Sequence, residues 1–368
     1  MTKEGIAIRC LSQSRTMFCI MTLCLLIVVE VQIYWQSYQC QTQKTMSFQS
    51  KNGFNDISLF SMEAFSSPSA NLEDLIAKSA PKQNRTALLL CPEQSPLLVG
   101  KMNIQPTVTL EEVTNMNSVS NLPLGGRYSP PNCTARERTA IIIPYRDRKE
   151  HLEILVRHLH AVLQWQELEY AIYVVEMELP TQFNRGLLAN AGVRVARGIS
   201  DHTCYVIHDV DLLMLDDRKL YRCGSQPIHY MTGSSKFENN GIPYATYYGG
   251  VVGFTKEQYK KCNGFSNLHF GWGGEDDDLG IRVNSAGMKF VRPKDEIGKY
   301  VALPHNQKNS NRFTILSHAK ERIQEEGVET LIFKRLALEY RKLYTWILIG
   351  VQEDTIMKRY QHYIGNWT

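Results

Sequence analysis

Residues 139–163 read TAIIIPYRDRKEHLEILVRHLHAVL and give the clearest indication of the fold. The β-branched run 139–143 is typical of a buried strand, and residues 152–163 carry apolar side chains at helical spacing. The polar PYRDRKEH between them joins the two elements. This stretch therefore predicts a strand that leads through a polar turn into a helix.

Two further strands and another helix follow. The sequence predicts strands at residues 170–175 and 203–208 and a helix at residues 184–197. Strands that alternate with helices favour an α/β fold with a mostly parallel sheet and helices on both faces, in a Rossmann-like arrangement. Ligands bind such sheets beyond the carboxyl ends of the strands, so the residues that follow the strands are the first candidates for a site.

Charged side chains follow two of the predicted strands. Asp209 and Asp211 come directly after the third strand, and extended geometry would place both on the same face. Two such carboxylates predict a seat for Mg²⁺ or Mn²⁺ carrying a diphosphate, although short acid pairs also cap turns and helices. Arg146 and Arg148 follow the first strand, where they would meet a nucleotide's phosphates or base, or else lie in a solvated loop.

The stretch FGWGGEDDD at residues 270–278 is a second candidate site. Its three glycines let the backbone adopt positive φ, and Trp272 offers a flat apolar face on which a sugar ring can stack. The four consecutive acids supply acceptors for sugar hydroxyls and a candidate general base. The alternative is a glycine turn followed by an acid-rich helix N-terminus, which the helix dipole favours by itself.

The N-terminal region predicts a membrane anchor. Residues 16–35, TMFCIMTLCLLIVVEVQIYW, are apolar over about the 20 residues that a spanning helix needs. Lys3, Arg9 and Arg15 precede this run, whereas the first basic residue after it is Lys44, so the N-terminus is expected in the cytosol. A cleaved signal peptide is the competing interpretation, but the run is long for one and no A-x-A-like cleavage site follows. We expect a single-pass type II protein with a cytosolic tail at residues 1–15 and an anchor at 16–35.

The rest of the chain is then expected on the luminal side. Residues 36–88 are mostly polar and lack a sustained period, which predicts a flexible stem, and residues 89–368 form the predicted catalytic domain. Of three glycosylation sequons, Asn84-Arg85-Thr86 is the best candidate, because Asn132 adjoins a cysteine and Asn366 is near the chain end. A net charge of +4 gives no electrostatic case for nucleic acid.

Five cysteines lie in the predicted luminal part, where an oxidising lumen permits disulfides. The spacing does not fix their pairing, and one of the five must stay single. None forms a C-x-x-C motif, which argues against a zinc site. These cysteines are Cys91, Cys133, Cys204, Cys223 and Cys262.

Seven stretches of this chain, in this order, resemble the animal β-1,4-galactosyltransferases. They run from Cys91 to about Arg312 and so cover most of the predicted domain. They are CPEQSPLLVG from Cys91, GGRYSPPNC from Gly125, IIIPYRDRKEHL from Ile141, FNRGLLANAG from Phe183, DVDLL from Asp209, YYGGVVGF from Tyr247 and GWGGEDDD from Gly271.

The resemblance implies a luminal Golgi transferase of the GT-A fold. It implies transfer of galactose from UDP-galactose to terminal N-acetylglucosamine of glycoprotein or glycolipid glycans, with inversion and a β-1,4 linkage. Mn²⁺ is the implied cofactor, with Mg²⁺ as an alternative. Three other functions stay open: transfer of N-acetylgalactosamine, use of another acceptor such as glucose or xylose, and a non-catalytic luminal sugar-binding role. The assembly state also stays open, with a homodimer among the options.

The resemblance also assigns roles by position. It makes Asp276 the catalytic base with Glu275 beside it, and Asp211 and His305 the metal ligands. It places Pro144, Tyr145, Arg146, Arg148, Phe183, Asn184, Arg185, Asp209, Val210, Asp211, Tyr247 and Trp272 at the donor. It places Gly274, Glu275, Asp276, Asp277, Arg312, Phe313 and Leu316 at the acceptor. It pairs Cys91 with Cys133 and Cys204 with Cys223, which leaves Cys262 free.

The sequence departs from the family pattern at three places. Ala302 stands where the family has a methionine near the metal histidine, so a thioether ligand is absent and metal preference is open. The segment 305–313 is shorter than usual, and Phe270 replaces a tryptophan.

Tyr247 matches a bulky residue that would crowd the acetamido group of N-acetylgalactosamine, which favours galactose as the donor sugar.

Overall fold

The computed structural model describes residues 88–115, 122–271, 273–304 and 313–364. All of these residues belong to the second of the two units into which the chain divides, 1–79 and 80–368. The predicted tail and anchor, Asn84 and all of the stem before Leu88 lie outside the described residues. Among the helices that are described, none is both long enough and apolar enough to cross a membrane.

The described residues form α-helices and strands that we number in chain order. The helices are α1 (Leu110–Asn115), α2 (Lys149–Trp165), α3 (Arg185–Ile199), α4 (Lys256–Lys261), α5 (Glu275–Ser285), α6 (Phe313–Ser317), α7 (Glu353–Arg359) and α8 (Gln361–Ile364). The strands are β1 (Arg127–Tyr128), β2 (Arg138–Tyr145), β3 (Glu169–Met177), β4 (Cys204–His208), β5 (Leu212–Met214), β6 (Ile228–His229), β7 (Gly233–Ser234), β8 (Val251–Thr255), β9 (Lys299–Ala302), β10 (Lys334–Tyr340) and β11 (Thr345–Gly350). Short 3₁₀ helices lie at Glu238–Asn240 and Asp295–Ile297.

The larger sheet has a parallel centre and antiparallel edges. Its strand order is β10-β11-β3-β2-β4-β8-β6, with β1 also paired to β3. Strands β11, β3, β2 and β4 run parallel, as the alternating pattern predicts. The prediction of a mostly parallel sheet is wrong at the edges, where β10, β8, β6 and β1 all pair antiparallel. The short turn between β10 and β11 permits only an antiparallel pair, because a parallel pair needs a long crossover.

Helices cover both faces of this sheet, as predicted. Ile141 and Ile143 of β2 pack in one hydrophobic cluster with the apolar side chains of α2. Ala140 and Ile142 point the other way and pack with α3. Successive side chains of a strand face opposite sides, so a strand covered on both faces must be apolar throughout. This explains why the run TAIII does not alternate with polar residues.

A smaller sheet, ordered β5-β9-β7, begins immediately after Asp211. Leu212 of β5 pairs with Ala302 of β9, and the Leu303 N–H donates to the Asp211 carbonyl oxygen at 2.8 Å. The turn at residues 209–211 therefore joins the larger sheet to the smaller one. The smaller sheet thereby fixes the backbone at one of the predicted metal ligands.

The structure contains both of the predicted disulfides. The Sγ atoms of Cys91 and Cys133 are 1.95 Å apart, and those of Cys204 and Cys223 are 2.11 Å apart. Cys262 is buried and free. Cys204 is the first residue of β4, so the second disulfide fixes the start of the strand that leads to Asp209.

Gly192 marks the closest approach of α3 to the sheet. A Cβ atom there would lie 2.5 Å from Ile142 Cγ2 and 2.8 Å from Val175 Cγ2, both fully buried. We expect Gly192→Ala to lower the free energy of unfolding by about 1–3 kcal/mol, because the added methyl group overpacks the core. Equilibrium urea unfolding measures the change.

Gly198 in the same helix is the matched control. It is exposed, and a Cβ atom there would meet nothing within 4 Å. Gly198→Ala should therefore raise stability by about 0.5–1 kcal/mol through helix propensity alone. Equal changes at the two positions would contradict the close approach at Gly192.

Candidate active site

An ion pair joins two of the predicted donor segments. Arg185, the first residue of α3, donates from Nε to Asp209 Oδ1 at 2.6 Å and from Nη2 to the Gly250 carbonyl oxygen at 3.1 Å. Burial alone would raise the pKa of Asp209, but the Arg185 guanidinium holds it below its usual range. Asp209 is therefore an anion that is already bound to a protein cation.

Residues 209–211 form a turn rather than a continuation of β4. The Leu212 N–H approaches the Asp209 carbonyl oxygen at 3.5 Å, and the chain changes from the larger sheet to the smaller one. The extended geometry expected for residues 209–211 is therefore wrong. Asp209 pairs with Arg185, whereas Asp211 Oδ2 lies 3.9 Å from Arg148 Nη1 and its residue is only 4% exposed.

Arg146 and Arg148 have different surroundings. Arg146 donates to the carbonyl oxygens of Thr181 at 2.7 Å and Met177 at 3.1 Å. Its guanidinium carbon lies 5.8 Å from the centre of the Phe183 ring. Arg146 therefore fastens the loop between β3 and α3, while Arg148 faces the Asp211 carboxylate.

Hydrogen bonds connect the FNR segment to the glycine-rich segment. The Asn184 side chain caps α3 by accepting from the Leu187 N–H at 2.9 Å, and its Nδ2 donates to the Asn267 carbonyl oxygen at 2.8 Å. The Gly271 N–H donates to the Phe183 carbonyl oxygen at 2.7 Å. Two segments that are about 90 residues apart in sequence therefore meet at one site.

The glycine-rich segment has the backbone that the sequence predicts. Gly271, Gly273 and Gly274 have φ values of 92°, 103° and 88°. Gly274 is the N-cap of α5, and all four acids lie in the first turn of that helix. The backbone is therefore a glycine turn followed by an acid-rich helix N-terminus. Which acid can bind a ligand or act as a base depends on the surroundings of each side chain. Trp272 lies outside the described residues.

Asp276 lies where burial and neighbouring negative charges disfavour its ionised form. It is partly buried, and its Oδ1 accepts from the Asp277 N–H at 3.0 Å. Loss of solvent and then the charges of Glu275 and Asp277 raise the pKa of Asp276 to about 7. Like-charge repulsion and burial both raise this pKa, and burial is the larger cause. A carboxylate with this pKa can accept a proton near neutral pH.

Two tyrosines border these acids. The Tyr244 hydroxyl donates to both carboxylate oxygens of Asp277, at 2.9 and 3.1 Å. A Cβ atom at Gly249 would overlap the Tyr247 hydroxyl and would lie 2.7 Å from Asp276 Oδ2. Gly249 thus leaves room for the Tyr247 hydroxyl beside Asp276. Burial, followed by the charge of Asp276, raises the pKa of Tyr247, so this hydroxyl stays neutral.

Asp278, the fourth acid, has a structural role that the sequence did not reveal. Asp278, Arg282, Arg322 and Glu326 are all fully buried and form what we call the ion cluster. Arg282 Nε donates to Asp278 Oδ1 at 2.6 Å, and Arg322 Nη1 donates to Glu326 Oε2 at 2.9 Å. Arg322 also contacts Asp278, and Arg282 also contacts Glu326. The spacing of four residues within each chain segment was a visible signal, but the pairing between the segments was not.

The ion cluster also reaches the predicted acceptor helix. Arg322 Nη2 donates to the Ile315 carbonyl oxygen at 2.9 Å, and Ile315 lies in α6 beside Leu316. Arg312, His305 and the side chain of Phe313 lie outside the described residues. Of the predicted acceptor residues, the structure therefore brings together the acids of α5 and the helix that carries Leu316.

A metal ion would need ligands from this same region. Within the described ranges, the two clusters with metal-ligand spacing are Cys91 with Cys133 and Glu167, and Cys204 with Cys223 and Glu137. Both pairs of cysteines are disulfide-bonded, so neither cluster offers thiolates. The Asp211 carboxylate is the predicted metal ligand that the structure does describe.

Comparisons with known proteins give the family of this chain. A family model described as the N-terminal region of glycosyl transferase group 7 matches residues 91–224, and one described as the N-terminal domain of galactosyltransferase matches residues 229–306. These matches define a glycosyltransferase.

Individual relatives narrow the class. Human β-1,4-galactosyltransferase 1 is 41% identical over 293 residues, which cover 77% of this chain and 72% of that one. Chinese hamster (Cricetulus griseus) β-1,4-galactosyltransferase 3 is 42% identical over 276 residues, covering 73% and 69%. A Drosophila β-1,4-galactosyltransferase 7 mutant, solved with manganese, UDP-Gal and xylobiose, is 28% identical with a TM-score of 0.50, over 59% of this chain and 94% of that one. The chain belongs to the β-1,4-galactosyltransferase family.

The ion cluster should dominate the stability of α5. Asp278→Asn would leave two buried guanidinium groups against one carboxylate, so we expect a loss of about 3–5 kcal/mol in the free energy of unfolding. Urea unfolding monitored by circular dichroism measures it.

Glu339→Gln is the control for this substitution. Glu339 pairs with Arg341 at 2.7 Å, but both side chains are about half exposed. Solvent screens such a pair, so its loss should cost less than about 1 kcal/mol. A cost at Asp278 as small as that at Glu339 would show that the cluster is not stabilising.

Proposed function

We propose that this protein is an inverting, metal-dependent β-1,4-galactosyltransferase that transfers galactose from UDP-galactose to terminal N-acetylglucosamine. One observation carries the proposal beyond family membership: a carboxylate with a pKa of about 7, Asp276, lies beside the Tyr247 hydroxyl. The same site contains the segments that follow β2 and β4, where an α/β sheet binds its ligand. The Drosophila relative, solved with manganese and UDP-Gal, supports the choice of donor and metal.

Inverting transfer needs one base and one in-line displacement. We assign the base to Asp276, which takes the proton of the acceptor hydroxyl as that oxygen attacks the anomeric carbon of galactose. The bond from that carbon to the UDP oxygen breaks on the opposite face, which inverts the configuration. Glu275 and Asp277 are assigned to the acceptor, together with the Gly274 backbone. Tyr244 orients Asp277 for this role through its two hydrogen bonds.

The residues present fit a hard divalent cation such as Mn²⁺. Asp211 supplies carboxylate oxygen, which suits Mn²⁺ and Mg²⁺, and it is nearly buried at a fixed turn. We propose His305 as a second ligand, because it follows Leu303 by two residues and Leu303 is hydrogen-bonded to Asp211. Two residues span at most about 7 Å. When bound, the metal neutralises charge on the departing UDP. Ala302 supplies no thioether, so the preference between Mn²⁺ and Mg²⁺ is a property to measure.

The donor side is assigned to the segments at the strand ends. Arg148 is proposed to meet the diphosphate, which its position beside Asp211 supports. Arg146 acts through the loop that it fastens, and Arg185 acts by orienting Asp209. The other proposed donor residues are Pro144, Tyr145, Phe183, Asn184, Val210, Tyr247 and Trp272. Tyr247 is proposed to favour galactose, because a C2 acetamido group would meet its ring.

The acceptor side is assigned to α5 and α6. Arg312, Phe313 and Leu316 are proposed to complete it with the acids of α5. The hydrogen bond from Arg322 to the Ile315 carbonyl oxygen supports this grouping, since it ties α6 to the ion cluster beneath α5. The two helices are therefore held at a fixed distance from each other.

We also propose the topology that the sequence predicts. Residues 1–15 would be cytosolic, 16–35 would span the membrane, 36–88 would form the stem, and 89–368 would be the luminal domain in the Golgi, with a glycan at Asn84. Two contacts support the boundary near residue 89. The Thr134 N–H donates to the Leu89 carbonyl oxygen at 2.8 Å, and Cys91 is bonded to Cys133.

A transfer assay with Asp276→Asn tests the function. The wild type should form a β-1,4-linked product from UDP-galactose and a β-N-acetylglucosaminide, with Mn²⁺ and Mg²⁺ titrated separately. Asp276→Asn should lower kcat by about 10²–10⁴-fold, because the amide cannot accept the proton. Calorimetry should show that this variant still binds UDP with Mn²⁺. If Asp276→Asn transfers galactose at the wild-type rate, Asp276 is not the base. If the wild-type protein binds UDP but transfers sugar to no acceptor, the non-catalytic role is favoured.

The pH profile tests the origin of the pKa. The unprotonated Asp276 is the active form, so kcat/KM should fall about tenfold per pH unit below pH 7 and level off above it. Glu275→Gln removes a neighbouring negative charge, so it should move the acid limb to lower pH. Glu257→Gln is the control, because Glu257 lies beyond the far end of β8 from Gly249. An acid limb that stays in place in Glu275→Gln would contradict the assigned coupling.

A further inference from the structure

Side chains hold much of the backbone at residues 244–249. This segment precedes β8 and carries Tyr244, Tyr247 and Gly249. Three of its carbonyl groups, from the exposed Ala245 to the buried Gly249, accept hydrogen bonds from side chains, and these donors restrict where the segment lies. Two of these donors, Arg292 and His229, have no place in the mechanism described above.

Arg292 holds the middle of the segment. Its Nη2 donates to the Ala245 carbonyl oxygen at 2.9 Å and to the Tyr247 carbonyl oxygen at 2.8 Å. Its guanidinium carbon also lies 5.2 Å from the centre of the Tyr248 ring. One planar group therefore fixes two carbonyls and stacks on a third residue of the same segment, which a flexible ammonium group cannot reproduce.

His229 holds the end of the segment and also binds Arg292. Arg292 Nε donates to His229 Nδ1 at 2.9 Å, and His229 Nε2 lies 2.9 Å from the Gly249 carbonyl oxygen. Because a guanidinium can only donate, Nδ1 must be the acceptor and Nε2 must carry the proton. The neutral imidazole thus donates to Gly249, and burial agrees with this state by lowering the pKa of His229 to about 3.

The fold places these two side chains together. The His229 N–H donates to the Val291 carbonyl oxygen at 2.9 Å, and the Val291 N–H donates to the Pro227 carbonyl oxygen at 2.9 Å. β6 therefore pairs with the backbone just before Arg292. This backbone pairing sets Arg292 beside His229.

The held segment presents Tyr247 to the site. The Tyr247 ring lies between Phe237, Tyr244 and His229, with centroid distances of 5.4, 5.6 and 6.1 Å. Its carbonyl is fixed by Arg292 and its hydroxyl lies in the space at Gly249 that Asp276 borders. A shift of the backbone at residues 245–249 would therefore move the tyrosine ring relative to the catalytic carboxylate.

We propose that Arg292 and His229 form a clamp that positions Tyr247 and thereby sets which donor sugar fits. This inference rests on the proposed function, in which Tyr247 faces the donor. The clamp residues are positioning residues, since they act on the donor only through Tyr247. Arg292 also lines an open pocket of about 300 Å³, together with Arg218 and Tyr230.

Arg292→Lys tests the clamp. The lysine keeps the charge but cannot bridge two carbonyls and a ring nitrogen. We expect the ratio of kcat/KM for UDP-galactose to that for UDP-N-acetylgalactosamine to fall about tenfold, since several hydrogen bonds to a charged group are lost. KM for the acceptor should stay within about twofold. Hydrogen exchange of the amides at residues 245–249 should become faster.

Two further variants make the test specific. Arg218→Lys is the matched control, because Arg218 lines the same pocket but donates its hydrogen bonds to the buried Asp216. It should change neither the donor ratio nor the exchange at residues 245–249. His229→Gln keeps a donor for Gly249, but its acceptor oxygen does not occupy the position of the ring Nδ1, so it should lower the donor ratio by a smaller factor, about threefold. The donor ratio of this variant also tests the clamp if Arg292→Lys fails to fold.

The outcomes separate the clamp from the proposed function. A folded Arg292→Lys protein with the wild-type donor ratio would overturn the clamp as a determinant of donor choice, whatever its exchange rates. Unchanged exchange at residues 245–249 would overturn the clamp as a positioning device. If the wild type transfers neither sugar, the proposed function fails, and the exchange measurement still decides whether Arg292 and His229 hold the segment.

Discussion

The ion cluster is the constraint on which the geometry of the site depends. Two guanidinium groups and two carboxylates are fully buried, and each is stable there only because the others are present. Asp278 must therefore face inward. Residues two positions apart on a helix point about 200° away from each other, so Asp276 faces the opposite side, which is the side of the site. The ion cluster thus sets the direction in which the proposed catalytic base points. It also joins α5 to α6, so one buried interaction sets both the base and the acceptor helix.

The local elements near the site could be predicted from the sequence. The apolar run before Pro144 predicts a strand covered on both faces, and Asn184 stands at the start of a predicted helix that it does cap. The positive φ of the glycines before Glu275 follows from their lack of a Cβ atom. The resemblance added the roles of individual residues, such as Asp276, which local pattern alone cannot assign. Its disulfide pairing agrees with the structure.

The remaining features depend on contacts between distant segments. Asp278 and Glu326 are 48 positions apart, and no local pattern shows that their partners are shared. Likewise, the sequence does not distinguish Arg292 from other basic residues. Its role becomes visible only in the structure, where the pairing of β6 places it beside His229. The turn at Asp209 was missed for a related reason. A strand pattern shows where a chain is extended, but the need to enter a second sheet ends the strand at His208.

Gly249 has a consequence for how this protein can vary. The Tyr247 hydroxyl and Asp276 Oδ2, which belong to two separate segments, occupy the space where a side chain at Gly249 would lie. Alanine, the smallest replacement, already collides with both, and a polar residue gains nothing there because the space is occupied. A side chain at this position would therefore displace the Tyr247 ring or the Asp276 carboxylate. The position would tolerate change only together with Tyr247, so the two residues are expected to drift as a pair during evolution.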